Sequence, residues 1–369
     1  MKSSTKRLEA ILARATDGQS LGRKDLIFLL EIDDQDQQEI IFRVARNLRH
    51  KFFGDRIFLY GFLYITTYCK NDCRFCFFRK SNRASRRYRK DDQEIVSVAG
   101  RMAESGVHLI DMTMGEDPAY FNRGMNGFEK LLHLVTSVGQ TTGLPVMISP
   151  GVMHVDQLKK VFEAGASWYA CYQETHCRSL FQNLRHGQDY DVRMAAKLAA
   201  HQQGLLIEEG LLCGVGERSA DVAESISVMR LIEADQVRVM NFIPQQGTPM
   251  ENRTPPDLTK ELLISAVMRL SFPDKLIPAS LDVDGLVGLR RRLDAGANVV
   301  TSLVPPGGGL AGVARHSLDI EDGNRTTASV LRILERIALC PASEKEYIAW
   351  IQRRKRSLEQ SRSKEKIAC

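Results

Sequence analysis

Short apolar runs rich in β-branched and aromatic residues recur along the chain, and between most of them apolar residues return every three or four positions. The first kind of run reads as strand and the second as amphipathic helix. Eight strands are predicted, over 57–66, 107–114, 145–149, 168–173, 205–213, 236–242, 276–281 and 297–303, with helices over 128–138, 155–164, 193–202, 221–232, 258–270 and 285–295. Strands alternating with helices build βαβ units and a parallel sheet, so the expected fold is α/β, a (β/α)8 TIM-type barrel. Residues 1–50 read as two polar-rich helices, the second over about 36–50, and residues 325–358 as helices capping the other end. The expected organisation is an N-terminal helical extension over 1–50, a barrel over 51–324, and C-terminal helices with a basic tail over 325–369; no Pro/Gly/Ser-rich linker divides it.

A barrel of this kind carries its active site at the carboxyl ends of its strands. Chemistry collects there. The first strand leads to Cys69, Cys73 and Cys76, the second to Asp111, Gly115, Glu116 and Asp117, the third to Ser149 and Gly151, and the fourth to Gln173 and Glu174. The fifth ends at Cys213, the sixth carries Arg238 and Asn241, the seventh Ser280 and Asp282, and the eighth Thr301 and Ser302. A polar residue at a strand end can also cap the next helix, and that reading stays open for Ser149 and Thr301. Arg238 and Asp111 differ, because each interrupts an apolar strand where an unpaired charge is costly.

With 369 residues and 43% hydrophobic content, the chain can bury a large core. No apolar run approaches the roughly 20 residues that cross a bilayer. The start MKSSTKRLEA has no apolar signal segment and the other five cysteines are scattered, so a reduced, cytoplasmic compartment is expected. The net charge of +6 is concentrated in 79–90 and 353–366. Neither run alternates bases with stacking aromatics as a single-strand binder would, so nucleic acid is not an expected partner. The tail reads as a solvated helix, while anion attraction stays open for the first run. A P-loop signature of the G-x-x-x-x-G-K-S/T type is missing, which argues against a P-loop enzyme.

The run YCKNDCRFCFF sets Cys69, Cys73 and Cys76 in the spacing C-x3-C-x2-C. Structural zinc takes four closed ligands, and the nearest histidines, His50 and His108, lie well outside the loop. Three thiolates instead suit three corners of a four-iron cluster with one iron left open to an outside ligand.

With Phe75 just before the last cysteine, this loop resembles the signature of the radical S-adenosylmethionine enzymes. The resemblance implies one 4Fe–4S cluster on Cys69, Cys73 and Cys76, S-adenosylmethionine bound at the open iron, and Phe75 lying along the adenine. The further runs TMGEDP, MISPG, YQET, GVGE, VRVMNFIPQQGTP, LIPASLD and AGANVVTS, from about Phe52 to VPPGGGLAGVA near Ala314, are similar to the biotin-synthase-like branch. Within it they resemble the lysine mutases that open pyrrolysine biosynthesis. That likeness implies isomerisation of L-lysine to (3R)-3-methyl-D-ornithine, by hydrogen abstraction and migration of a carbon fragment. It also implies an external one-electron reductant of the flavodoxin or ferredoxin type; a monomer is expected.

On the cofactor side the resemblance implies roles for Gly115, Glu116, Ser149, Glu174, Arg185 and Arg193. Arg238 suits a substrate carboxylate through its bidentate fork, Asp111 and Asp282 suit ammonium groups, and Ser280 adds a neutral bond; these positions match the family's substrate-binding residues. Biotin synthase itself is disfavoured, since strand-borne cysteines for a second cluster are missing. The hydrogenase maturation enzyme of the same branch shares the cluster and barrel and remains an alternative. A non-catalytic iron–sulfur carrier is the alternative of another class, and the ring of polar strand ends argues against it.

Overall fold

The computed structural model describes residues 2–121, 126–305 and 325–368; residues 306–314 of the VPPGGGLAGVA run lie outside them. Three helices, α1 (Lys2–Thr16), α2 (Arg23–Leu30) and α3 (Gln35–Phe53), precede the barrel. Two had been expected from the sequence. The reason for the third is a break at Gly18, whose φ is +77°, after which α2 starts at Gly22, whose N donates to Asp25 Oδ2 at 3.2 Å; α3, the predicted second helix, is capped by Asp34, whose carboxylate accepts from Gln37 N at 2.9 Å. Such a carboxylate satisfies one of the amides that the first helical turn leaves open.

The barrel then alternates β1 (Arg56–Thr66), α4 (Asp92–Glu104), β2 (Leu109–Met114), α5 (Pro118–Phe121), α6 (Gly127–Thr142), β3 (Val146–Ser149), α7 (Val155–Glu163) and β4 (Ala166–Ala170). It continues through α8 (Arg178–Leu184), α9 (Tyr190–Gln203), β5 (Leu206–Cys213), α10 (Ser219–Leu231), β6 (Gln236–Asn241) and α11 (Leu258–Ser271). The last unit holds β7 (Pro278–Ser280), α12 (Leu289–Asp294) and β8 (Val299–Leu303). All eight predicted strands form. Helix α12 is shorter than the sequence pattern over 285–295, because the residues before Leu289 are spent in turns. Helix α4, which had not been assigned, is capped by Asp91, which accepts from Glu94 N at 2.8 Å.

The strands pair in parallel in the order β6-β5-β4-β3-β2-β1-β8-β7. Between β6 and β7 the seam is closed by backbone bonds from Val237 N to Leu276 O at 3.0 Å and from Leu276 N to Asp235 O at 3.2 Å. Successive side chains on a strand face opposite ways, so each strand splits its residues between the helix layer and the barrel interior. Interior positions near the amino ends are apolar: Phe58, Tyr60, Leu109, Met147, Trp168 and Leu206 pack in one cluster. Two positions onward the interior turns polar, with Asp111, Glu208 and Arg238. The barrel is therefore oil-filled at one end and ionic at the other.

After the barrel come α13 (Thr327–Arg336), a short β9 (Cys340–Pro341) paired with β1, and α14 (Glu344–Ala368). Helix α14 plugs the apolar end. Trp350 stacks on Trp168 with centroids 5.9 Å apart and planes at 1°, and the Tyr347 and Tyr60 hydroxyls bond at 2.7 Å. The apolar faces of α1–α3 join the same core cluster as the barrel's outer layer. Trp350→Ala is expected to cost about 3–5 kcal/mol through the cavity it opens, read by equilibrium urea unfolding. Leu231→Ala, at a residue 81% exposed, should stay within about 0.5 kcal/mol; equal effects would contradict this plug.

Candidate active site

The loop that leaves β1 carries the three cysteines. Its backbone is tied on three sides, by Lys70 N to Glu116 O (3.0 Å), Arg74 N to Leu184 O (2.8 Å) and Lys80 N to Asn71 O (2.8 Å). Cys73 is buried, Cys69 and Cys76 are half-buried, and all three are free thiols lining one cleft with ≈ 1070 Å³ of empty space. Gln188 Nε2 donates to Cys73 Sγ at 3.0 Å and Arg185 Nη1 at 3.5 Å. Burial, then repulsion from Cys73 and Cys69, pushes the Cys76 thiol up to about 12. Burial likewise raises the Cys69 thiol, and thiols raised in this way ionise beside a cationic centre. Among the described residues no three His, Cys, Asp or Glu side chains close around a single metal ion. Three thiols lining one cleft suit a multi-iron group, which takes soft thiolate ligands.

Gly115 backs this loop. A Cβ there would stand 2.6 Å from Tyr68 O and 2.7 Å from Cys69 Cβ, so only glycine permits β2 to end against the cysteine loop. Next to it Glu116 is buried, pairing with Lys70 at 3.1 Å and Arg193 at 3.6 Å and accepting from Val152 N at 3.1 Å. Gly151, with φ +82°, leaves room for that carboxylate, since a Cβ would lie 2.2 Å from Glu116 Cγ.

Glu174 follows β4 and has φ +66°, a left-handed conformation uncommon outside glycine and found at functional sites. Its backbone bonds hold it there: Glu174 N donates to Gly210 O at 3.1 Å, and its carbonyl accepts from Leu212 N at 3.0 Å. Its carboxylate accepts from Arg185 Nη2 at 2.7 Å, and Arg185 lies 5.4 Å over the Phe75 ring. Burial raises the Glu174 carboxyl against the pull of Arg185 and Arg193.

Further along the cleft, Asp111 Oδ1 accepts from Thr113 Oγ1 at 3.0 Å and from Ser149 Oγ at 3.2 Å. Burial, then Glu208, pushes Asp111 up to about 7 against the pull of Arg238. Arg238 donates through Nε to Glu208 Oε1 at 2.6 Å, and Tyr172 Oη donates to Glu208 Oε2 at 2.8 Å. Asp282 accepts from Arg325 Nη1 at 2.7 Å, Ser302 Oγ at 2.6 Å and Ser280 Oγ at 3.2 Å.

Every residue given a cluster, cofactor or substrate role from the sequence lines this cleft except Ser280, whereas the strand-end residues Asp117, Gln173, Cys213 and Asn241 do not. Ser280 is instead bonded to Asp282, its Oγ donating to Oδ2 at 3.2 Å. Ser149, expected on the cofactor side, is bonded to Asp111. The sequence reading missed Glu208 and Tyr172, which hold Arg238, and Arg325, which neutralises Asp282. It also missed Glu209, whose Oε1 accepts from Gln173 N at 2.7 Å and Gly210 N at 2.8 Å and which pairs with buried Lys197. The signal was available in LLIEEGLLC, where two acids interrupt an apolar strand. A second cavity, with ≈ 620 Å³ of empty space and lined by Phe52, Trp350 and Arg353 among others, sits at the plugged end, remote from the cysteines.

Residues 63–228 match the model of the Radical SAM superfamily, and the barrel with three thiols at its ionic end is the site of that class. The chain is 40% identical over 346 residues to the 3-methylornithine synthase of Methanosarcina acetivorans, covering 94% of this chain and 97% of that protein. The crystal structure of a methylornithine synthase superposes with a TM-score of 0.87 at 40% identity, covering 92% of this chain and 99% of that one. The FeFe hydrogenase maturase subunit HydE of Thermotoga maritima is 28% identical over 73% of this chain and 77% of its own. The chain belongs to the 3-methylornithine synthase family of radical S-adenosylmethionine enzymes. Its cofactors are a 4Fe–4S cluster with three cysteine ligands and S-adenosylmethionine, and it works on a small molecule with electrons supplied by a reductant.

Gly115→Ala is expected to lower the iron and sulfide retained after anaerobic reconstitution, because the added methyl must displace the cysteine loop. Gly100→Ala in α4, where the nearest atom would be 3.9 Å away, should load fully. Equal loading of the two variants would remove Gly115 from this role.

Proposed function

We propose that the chain isomerises L-lysine to (3R)-3-methyl-D-ornithine, the step that opens pyrrolysine biosynthesis, with the cluster on Cys69, Cys73 and Cys76. One observation carries the substrate side. Arg238, Asp111 and Asp282 line the same cleft as the three thiols, so a guanidinium and two carboxylates flank one cavity. Lysine offers one carboxylate and two ammonium groups. Glu208 holds Arg238 by Nε, which aims the terminal nitrogens of the fork toward a carboxylate. Asp111 and Asp282 take the ammonium groups, and Arg325 with Ser302 fixes the carboxylate of Asp282.

When bound at Cys69, Cys73 and Cys76, the cluster and S-adenosylmethionine would supply the radical hydrogen-abstraction chemistry, and the protein's part is position and exclusion of water. Glu174 with Arg185, and Glu116 with Arg193, are the pairs we assign to the cofactor's methionine and ribose ends, with Phe75 against the adenine. Because Glu116 also pairs with Lys70, Arg193 can turn to the cofactor while that carboxylate keeps a cationic partner. The reductant is taken to be of the flavodoxin or ferredoxin type, and the enzyme a cytoplasmic monomer.

Anaerobic, reconstituted protein given L-lysine should yield methylornithine, identified by mass and chirality. A failure to convert lysine would overturn the proposal. Arg238→Lys keeps the charge and loses the fork, and a misplacement of about 1 Å costs on the order of a hundredfold in rate. Product formation should collapse while uncoupled 5′-deoxyadenosine is still released. Near-parental turnover would move the carboxylate site elsewhere.

The pH dependence follows from Asp111. With its carboxyl pushed up to about 7, the ionised form that attracts an ammonium grows as pH rises through that value, while the side-chain amine of lysine stays charged until about 10. KM for lysine should therefore fall as pH rises through neutrality. Asp111→Asn should raise KM and flatten the profile, and an unchanged slope in that variant would exclude Asp111 as the source.

A further inference from the structure

The basic run that begins within the cluster loop and continues past its last cysteine is not used by the site just described. Between Cys73 and Lys90 the chain places eight cations and no acid. Five are engaged. Arg74 donates to Asn183 Oδ1 at 2.7 Å, Arg79 pairs with Asp72 at 3.0 Å, Arg89 with Asp117 at 2.7 Å, and Lys90 with Glu94. Arg87 is turned inward and donates to four carbonyls, those of Thr67, Phe78, Arg79 and Asn82. Lys80, Arg83 and Arg86 are exposed, and no ion pair joins them among the described residues.

The fold fixes where these three point from. Arg87 gathers the loop onto its own backbone, Asn82 Nδ2 ties it to Phe77 O and to Gln246 O at 2.9 Å each, and Lys80 N bonds Asn71 O at 2.8 Å. Asn71 lies between Cys69 and Cys73, so the exposed cations are mounted directly on the cluster loop. Of the acids nearby, Asp72 is taken by Arg79 and Ser81, Asp117 by Arg89, and Glu116 by Lys70 and Arg193. What faces solvent beside the thiols is net positive.

We propose that Lys80, Arg83 and Arg86 form the docking surface for an acidic protein that delivers single electrons to the cluster. The inference rests on the cluster assignment above. The donor loses one electron, the cluster gains it, and no bond is made between the two proteins. Opposite charge steers such an encounter and holds the donor with its redox group against the cysteine loop, at a cost in affinity that rises with salt. Nucleic acid is the competing occupant of a basic face, but it gains nothing from lying beside the thiols.

The test uses full-length protein with an acidic flavodoxin as probe. The parent should bind oxidised flavodoxin with an affinity that weakens as salt is added. Lys80→Glu/Arg83→Glu/Arg86→Glu should weaken it on the order of tenfold or more, and the charge-conserving Lys80→Arg/Arg83→Lys/Arg86→Lys should restore it. In turnover, the reversed variant should release 5′-deoxyadenosine at the parental rate with dithionite and at least about tenfold more slowly with reduced flavodoxin. Parental binding and parental flavodoxin-driven turnover in the reversed variant would overturn the proposal, as would a parent that binds single-stranded DNA and not flavodoxin. A parent silent with dithionite would instead condemn the radical-enzyme reading, and the binding arm separates that failure from this one.

Discussion

Two adjacent carboxylates on β5, Glu208 and Glu209, both with no exposed surface, set the terms for the whole ionic end of the barrel. Neighbouring residues on a strand face opposite ways. Glu208 looks into the barrel and holds Arg238 and Tyr172; Glu209 looks into the helix layer and holds Lys197 with the backbone at Gln173. A buried carboxylate stripped of its partners is costly by several kcal/mol, so each acid obliges its surroundings to supply cations and amides. The cleft half assigned to lysine is organised by the first of these demands. The half assigned to the cofactor is organised by the second, because Gln173 N anchored on Glu209 precedes the left-handed Glu174.

The two ends of the barrel divide stability from chemistry. Where the interior is apolar it is sealed by the Trp168–Trp350 stack, and that end can be close-packed because nothing has to enter it. Where it is polar, the charges that line the cleft are held by named partners: Arg238 by Glu208, Asp282 by Arg325, Glu174 by Arg185. Such pairs do little for net stability once desolvation is counted. Their value lies in holding donors and acceptors in place before a ligand arrives, which spares the ordering cost at the moment of binding.

All eight strands and the chemistry at their carboxyl ends were legible in the sequence, because alternation between apolar runs and amphipathic intervals is a local property. The cysteine spacing was legible for the same reason. Partnerships across the barrel were not. That Arg238 would be held by an acid 30 residues earlier, or that Asp282 would be neutralised by Arg325, depends on register between strands and on chain that returns from far away. Glu208 and Glu209 were visible as a charge pair in an apolar strand, and the physical argument applied to Arg238 and Asp111 covers them equally. The third N-terminal helix was missed for a smaller reason, a turn at Gly18 that ends α1 and leaves the short apolar run over 26–30 to form a helix of its own.

The division of labour on β5 can be measured directly by titrating L-lysine and S-adenosylmethionine separately, by calorimetry, into anaerobically reconstituted Glu208→Gln and Glu209→Gln proteins. If one strand organises two binding sites through opposite faces, Glu208→Gln loses lysine affinity and keeps cofactor affinity, while Glu209→Gln shows the reverse. Two variants that each weaken both ligands to the same degree, or neither of them, would contradict it.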